Sequence, residues 1–385
     1  LWVIPIIFIS PRIYVLIICR YIVFMANRQF MELAIQLATA TVGQTSPNPS
    51  VGAVIVKNNQ IVGIGSHLFA GSDHAEIHAL NMAGELANGA TLYITLEPCV
   101  HFGKTPPCTS RIINAGIKTV VIATRDLNPE VAGRGIEILT NAGIKVEVGL
   151  LEAEAKQINR KFFHYIKSQL PYITIKAGLS IDGKLATKHG ESQWITNIQA
   201  REDAHYLRHK HDAILVGVGT VLADDPSLTT RIAGGGKNPI RIILDTHLRT
   251  PLSSKVILEQ QSPTYLVIGN AVTQEQITPY LVHSHVKIIQ LPAPTIKLTE
   301  VLAELGLQKI TSLLVEGGSS VINSFLQQKL INQLVVYISP MLIGGINAPA
   351  FFQGCGFDSL ADSLYLKLVS INQLDDNLKI VYSRE

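Results

Sequence analysis

Apolar residues recur at helical spacing between Phe30 and Thr41, at Phe30, Leu33, Ala34, Leu37 and Ala38, and predict an amphipathic helix. After the turn formers Ser46-Pro47-Asn48-Pro49-Ser50 the period changes. Val51–Val56 reads as a strand, Lys57-Asn58-Asn59-Gln60 as a hairpin turn and Ile61–Gly65 as the return strand. His74 opens a helix through Met82, strand Ala90–Leu96 follows, and Pro98-Cys99 begins a turn into the next helix. The pattern continues with helix Thr109–Ala115, strand Thr119–Thr124, helix Gly135–Ala142, strand Lys145–Val148 and helix Glu152–Lys167. That helix stops at Gln169-Leu170-Pro171, where a domain boundary is expected.

A second alternation starts at Tyr172–Lys176, followed by the turn Ser180-Ile181-Asp182-Gly183-Lys184. Further strands are predicted at Ala213–Gly217, Ile240–Asp245, Thr264–Ile268, Lys287–Gln290, Ser312–Glu316 and Gln333–Ile338, with helices at Ile198–Lys210 and Val321–Lys329. Strands alternating with helices on both sides of the boundary imply two α/β domains, 25–168 and 171–385. A chain of 385 residues that is 47% apolar is long enough for two cores. Gly217-Val218-Gly219 resembles part of a dinucleotide fingerprint, but the third glycine is missing and Ala223-Asp224-Asp225-Pro226 breaks the helix early, so a Rossmann domain is not expected.

Net charge is only +3 with no dense Lys/Arg run, which argues against a nucleic-acid surface. Residues 1–24 are strongly apolar, but Pro5, Pro11, Arg12 and Arg20 interrupt the roughly 20-residue span that an anchor needs. They also lack the layout of a signal peptide. They are expected to lie upstream of the true start at Met25, and no membrane partner is expected. Of the four cysteines, Cys19 and Cys355 have no obvious partner, and this usage suits a reducing compartment, the cytoplasm.

Candidate chemistry concentrates between His74 and Cys108. His74-Ala75-Glu76 is followed by Pro98-Cys99 and, nine residues after the first cysteine, by Cys108. One imidazole and two thiols suit tetrahedral Zn²⁺ and leave a fourth position for water. Zinc lowers the pKa of that water, and Glu76, not needed as a ligand, is placed to carry its proton to a leaving amine. H-x-E followed by P-C is the zinc-deaminase signature, except that the usual second cysteine comes three residues after the first. The alternatives are a structural zinc site or two unpaired core cysteines; a structural site would want a fourth ligand and no spare glutamate. His205 and His209 lie four apart on one predicted helix, with His211 nearby, but no carboxylate or third ligand completes a second metal site. Glu316-Gly317-Gly318-Ser319-Ser320, between a strand and a helix, offers a glycine turn at a helix N-terminus, which is by itself only a weak phosphate signal.

The run Leu96-Glu97-Pro98-Cys99-Val100-His101-Phe102-Gly103-Lys104-Thr105-Pro106-Pro107-Cys108-Thr109 resembles the deaminase half of the bifunctional riboflavin-biosynthesis deaminase/reductase family. Lys176–Trp194, Ala213–Arg231, Ile240–Asp245 and Leu314–Ser319 resemble its reductase half, so the likeness spans roughly Met25 to Glu385. It implies a cytidine-deaminase-like α/β/α sandwich followed by a dihydrofolate-reductase-like α/β domain that uses NADPH. The first would deaminate a diaminopyrimidinone ribosylamino phosphate; the second would reduce its ribosyl group to ribityl. Carried over by position, His74, Cys99 and Cys108 would hold zinc, Glu76 would be catalytic, and Asn48, His67, His101 and Lys104 would grip the pyrimidine and its phosphate. Gly178, Trp194, Thr220, Asp224, Thr246 and the Gly318–Ser324 turn, with Ser319 and Ser320, would contact NADPH. Ser192, Arg208, Leu228, Arg231 and Glu316, with Lys184, would contact the sugar phosphate. The expected partners are that small phosphorylated pyrimidine and further copies of the chain. A tRNA or free-base deaminase would lack the long cysteine loop and the second domain, and an inactive scaffold would not need the intact His74, Glu76, Cys99 and Cys108 set.

Overall fold

The computed structural model describes residues 28–100, 107–129, 131–354 and 356–384. The expectations for residues 1–24, Cys19, His101, Lys104 and Cys355 lie outside them. The chain divides into two compact units, Leu1–Phe163 and His164–Glu385. No helix among the described residues is long and apolar enough to cross a membrane.

The first unit runs α1 (28–40), β1 (Gly52–Lys57), β2 (Gln60–Ser66), α2 (Ala75–Ala83), β3 (Thr91–Leu96), α3 (Cys108–Asn114), β4 (Thr119–Thr124), α4 (Arg134–Asn141), β5 (Lys145–Val148) and α5 (Glu152–Ile158), and α6 (Arg160–Ser168) follows. Its sheet has the order β2-β1-β3-β4-β5. The β1 pairings with β2 and β3 are antiparallel, and β3, β4 and β5 run parallel. Alternate residues of β1 enter different cores. Ala53 and Ile55 pack with Ala79 of α2, Ile112 of α3 and Leu139 of α4, whereas Val54 and Val56 pack with Met31 of α1 and Ala155 of α5. The sheet is thus covered by helices on both faces, and its strands β1, β3 and β4 read as nearly continuous apolar runs for that reason. Gly65 of β2 lets α2 lie close, since a Cβ there would collide with the Ala75 carbonyl. This approach fixes the start of α2, and with it His74 and Glu76.

One expectation fails in this unit. The segment Glu152–Lys167, expected as one helix, is two helices broken at Asn159. Asn159 is buried and bonds both backbone groups of Ser50, Oδ1 accepting from its N–H at 2.8 Å and Nδ2 donating to its carbonyl at 2.9 Å. A side chain committed to a distant backbone in this way overrides the helical periodicity.

The second unit contains β6 (Tyr172–Ser180), α7 (Ile198–His209), β7 (Ala213–Gly217), α8 (Val218–Asp224), β8 (Ile240–Leu244), α9 (Lys255–Leu258), β9 (Thr264–Ile268), α10 (Gln274–Leu281), β10 (Val286–Gln290), α11 (Leu298–Leu307), β11 (Ser312–Val315), α12 (Ser319–Gln327), β12 (Gln333–Ser339), β13 (Lys367–Leu374) and β14 (Asn377–Ser383). The sheet order is β10-β9-β8-β7-β11-β6-β12-β14-β13, parallel up to β12 and antiparallel beyond it. Leu215 and Ile242 face one core, while Ile214, Val216 and Ile243 face the other. In a parallel sheet, loops after strand C-termini gather along one edge, where α/β folds bind ligands. The β13–β14 hairpin was not anticipated from the sequence. It is tied to the start of α7 by Asn197, whose Nδ2 donates to the Leu374 carbonyl at 2.8 Å while its Oδ1 caps the helix by accepting from Ala200 N–H at 2.9 Å.

Candidate active sites

In the first unit the sites of interest are element termini. His74 is the residue before α2, Glu76 lies in that helix's first turn, Cys99 follows β3, and Cys108 begins α3. The helix expected at Thr109–Ala115 starts at Cys108. His74 Nδ1 stands 3.2 Å from Cys108 Sγ and 3.5 Å from Cys99 Sγ. The three donor atoms all lie within 4.8 Å of one another. Two thiols and an imidazole converging like this fit a zinc ion with one tetrahedral position left over. Hydrogen bonds from Cys108 and then His74 lower the Cys99 thiol, which favours the thiolate that a soft-ligand site needs. Glu76 is 3% exposed, and burial is the main cause that raises its carboxyl above the ordinary range. A raised carboxyl close to a metal trio, and not part of it, suits a proton carrier.

Asn48 and His67 join this site. His67 Nδ1 donates to the Asp73 carbonyl at 3.1 Å, which leaves Nε2 to accept from Asn48 Nδ2 at 3.2 Å. Burial lowers the His67 pKa, so the ring is neutral. Its ring centroid is 5.2 Å from that of His74.

The second unit holds a buried charge cluster at the end of β11. Arg208 of α7 grips Glu316 in a fork, Nε to Oε1 at 2.9 Å and Nη2 to Oε2 at 3.0 Å. Lys176 of β6 adds a third contact, Nζ to Oε2 at 3.4 Å. Burial alone would raise the Glu316 carboxyl, but Arg208 and then Lys176 outweigh it and hold it well below the usual carboxylate range. Arg208 Nη1 donates to the Thr229 carbonyl at 2.9 Å, which brings the 228–231 segment with Leu228 and Arg231 to the same place. Lys176 was not singled out from the sequence as a contact. The available signal was a lone cation in the apolar run Tyr172–Leu179.

Thr220 and Asp224 lie on α8 after β7, Thr246 lies after β8, and Gly318, Ser319 and Ser320 form the start of α12 after β11. Thr220 and Gly318 face each other: a Cβ at Gly318 would come 3.9 Å from Thr220 Oγ1. Gly178 packs on Thr196, with a Cβ there 3.2 Å from Thr196 Cγ2. Trp194 is 63% exposed with the Arg201 guanidinium 4.4 Å over its ring, and lines an open cleft of about 850 Å³ with Met341 and Asn377. The lining of that cleft includes neither Thr220 nor Gly318. Lys184 Nζ reaches the Ala348 carbonyl at 3.4 Å, and half-buried Ser192 precedes the Trp194 turn.

A family model described as the cytidine and deoxycytidylate deaminase zinc-binding region matches residues 25–124, and one described as the RibD C-terminal domain matches residues 171–380. The riboflavin biosynthesis protein RibD of Bacillus amyloliquefaciens is 47% identical over 353 residues, covering 91% of this chain and 94% of that protein. Its Aquifex aeolicus counterpart is 44% identical over 359 residues, covering 93% and 98%. Among solved structures, Acinetobacter baumannii RibD superposes with TM-score 0.85 at 37% identity, covering 94% of this chain and 99% of that one. A diaminohydroxyphosphoribosylaminopyrimidine deaminase/phosphoribosylaminouracil reductase from Thermotoga maritima gives TM-score 0.83 at 35% identity, with 94% and 99% covered.

Proposed function

This chain belongs to the RibD family of bifunctional riboflavin-biosynthesis enzymes, and from that premise we propose how its residues divide the two activities. The enzyme deaminates a diaminopyrimidinone ribosylamino phosphate and reduces the ribosyl group of the product to ribityl, using zinc for the first reaction and NADPH for the second. The deaminase is assigned to residues 25–168 and the reductase to 171–385.

In the deaminase, His74, Cys99 and Cys108 would hold the zinc, which would supply Lewis-acid activation of the attacking water. Glu76 takes the proton from the nucleophile and returns it to the departing amine, a role suited to its raised carboxyl. Asn48 and neutral His67 orient the pyrimidine, and His101 with Lys104 receives its phosphate. In the reductase, Gly178, Trp194, Thr220, Asp224, Thr246, Gly318, Ser319 and Ser320 would bind NADPH, which would supply the hydride. Ser192, Arg208, Leu228, Arg231 and Glu316, joined by Lys184, hold the sugar phosphate. The observation that carries the division is the placement of the His74/Cys99/Cys108 trio with Glu76 in one unit and of Glu316 with Arg208 in the other.

Glu76→Gln should leave zinc bound and stop ammonia release by about a hundredfold or more, while NADPH oxidation on the supplied deaminated pyrimidine continues. Loss of that oxidation in folded, zinc-loaded protein would sink the two-site assignment. A homo-oligomer is also proposed, since the sheet ends at β13 with Leu368, Val369 and Ile371 each about half exposed; light scattering showing a monomer at working concentration would refute it. The cytoplasm is the proposed compartment, because Cys99 and Cys108 must stay reduced to bind metal. Cell fractionation that finds the enzyme outside the cytoplasm would overturn this.

A further inference from the structure

Three side chains of α7 hold the segment 229–237 by its backbone. Arg208 Nη1 donates to the Thr229 carbonyl at 2.9 Å. His205 Nδ1 accepts the Arg231 N–H at 3.3 Å, and His209 Nδ1 accepts the Lys237 N–H at 3.0 Å. Positions 205, 208 and 209 are three and four apart and share one helix face. Between the two gripped N–H groups lies Ile232-Ala233-Gly234-Gly235-Gly236, with Gly234 and Gly235 at φ 80° and 86°. The loop also closes on itself, since Thr230 N–H donates to Asn238 Oδ1 and Thr230 Oγ1 to the Lys237 carbonyl, both at 2.9 Å. Three successive glycines have the most backbone freedom to lose, so the geometry of such a loop depends on how its two ends are pinned.

We infer that His205 is a positioning residue of the reductase: with His209 it sets the loop that carries Arg231, and so places that guanidinium for the anionic end of the substrate. The inference rests on the reading of Arg231 as a substrate contact. A backbone N–H can be accepted only by an unprotonated Nδ1, which places the ring proton on Nε2. Burial, then Arg208 and Arg231, lower His205 to about 4, with Glu316 opposing them. Burial, Lys210 and Lys237 lower His209. The His205 ring is therefore a neutral acceptor at physiological pH, and the shift of His209 is in the same direction. Because both Nδ1 atoms are engaged by backbone, the helical spacing of these histidines is accounted for without a metal.

The test uses the full chain and reads NADPH oxidation on the deaminated phosphoribosylamino pyrimidine, with calorimetric melting of the reductase unit as the control for folding and ammonia release as the control for the other unit. His205→Leu removes the acceptor at similar volume and is expected to raise KM for the pyrimidine about three- to tenfold, the worth of one hydrogen bond. KM for NADPH and ammonia release should stay unchanged. His205→Asn keeps an acceptor oxygen near the place of Nδ1 and should restore KM to within about twofold of the parent. His209→Leu frees the other end of the loop, should raise the same KM about two- to threefold, and carries the test if His205→Leu does not fold. An unchanged KM in the folded leucine variants, or no rescue by His205→Asn, overturns the inference. Arg231→Ala separates the premise from the inference. If it raises KM while His205→Leu does not, only the positioning role fails. If it leaves KM unchanged, Arg231 is not a substrate contact and the inference falls with that reading.

Discussion

Replacing Arg208 with Met is expected to destabilise the reductase unit by an amount that depends on pH. The substitution keeps the bulk of the side chain but deletes both bonds to Glu316 and the bond to the Thr229 carbonyl. The Glu316 side chain, 8% exposed, is then left with Lys176 alone, at 3.4 Å. Removing one partner of a buried ion pair costs about 3–5 kcal/mol, because the remaining charge is stranded. For a unit of this size each kcal/mol moves Tm by about 2–4 °C, so a fall of roughly 6–20 °C is expected near neutral pH. The pH dependence follows from the direction of the Glu316 shift. In the parent its folded pKa is depressed, so its contribution is fully present above the unfolded value and is lost only as pH falls through the folded one. In Arg208→Met burial dominates, the carboxyl moves upward, and protonation relieves the stranded charge. The Tm gap between parent and variant should therefore narrow from pH 8 to pH 5. Differential scanning calorimetry, with ammonia release reporting the other unit, measures both. A gap under about 2 °C, or one that widens as pH falls, would refute the reasoning.

Three further outcomes are expected. Cys99→Ser or Cys108→Ser should lose most bound zinc by elemental analysis, since a hydroxyl replaces a soft thiolate poorly; full zinc content would remove them as ligands. Gly318→Ala meets nothing closer than Thr220 Oγ1 at 3.9 Å, so Tm should hold while KM for NADPH rises several-fold; an unchanged KM would take the Gly318 turn out of the cofactor site. Asn159→Ala leaves both Ser50 backbone groups without their bonds at 2.8 and 2.9 Å, and should destabilise the deaminase unit by about 2–4 kcal/mol in urea titration, against which a loss below about 0.5 kcal/mol would count.

Local pattern carried much of the fold. Strands Thr119–Thr124, Ala213–Gly217 and Thr264–Ile268 stand where their apolar runs placed them, because a strand covered on both faces must be apolar along its length. The α10 and α11 helices and the β13–β14 hairpin were not read from the sequence. Strand β13 is exposed along most of its length, with Leu368, Val369 and Ile371 each about half exposed, so no buried face sets a period there.

The metal trio was legible because its signal is chemical and short-range: an imidazole, a glutamate two residues on, and two thiols nine apart declare their purpose before any contact is known. The reductase cluster was legible only by likeness. Glu316 meets Lys176 across 140 residues and Arg208 across 108, and nothing in the local spacing of a glutamate at a strand end says which cations will surround it. The same holds for Asn159, which reads as one more helical residue until Ser50 arrives from 109 residues away. The spacing of His205 and His209 showed only that they share a helix face; the tertiary structure supplied the two backbone N–H groups that they accept. Periodicity records which face of an element is buried. The partner of a buried polar group is set by chain topology, because desolvation obliges such a group to find a bond wherever the fold delivers one.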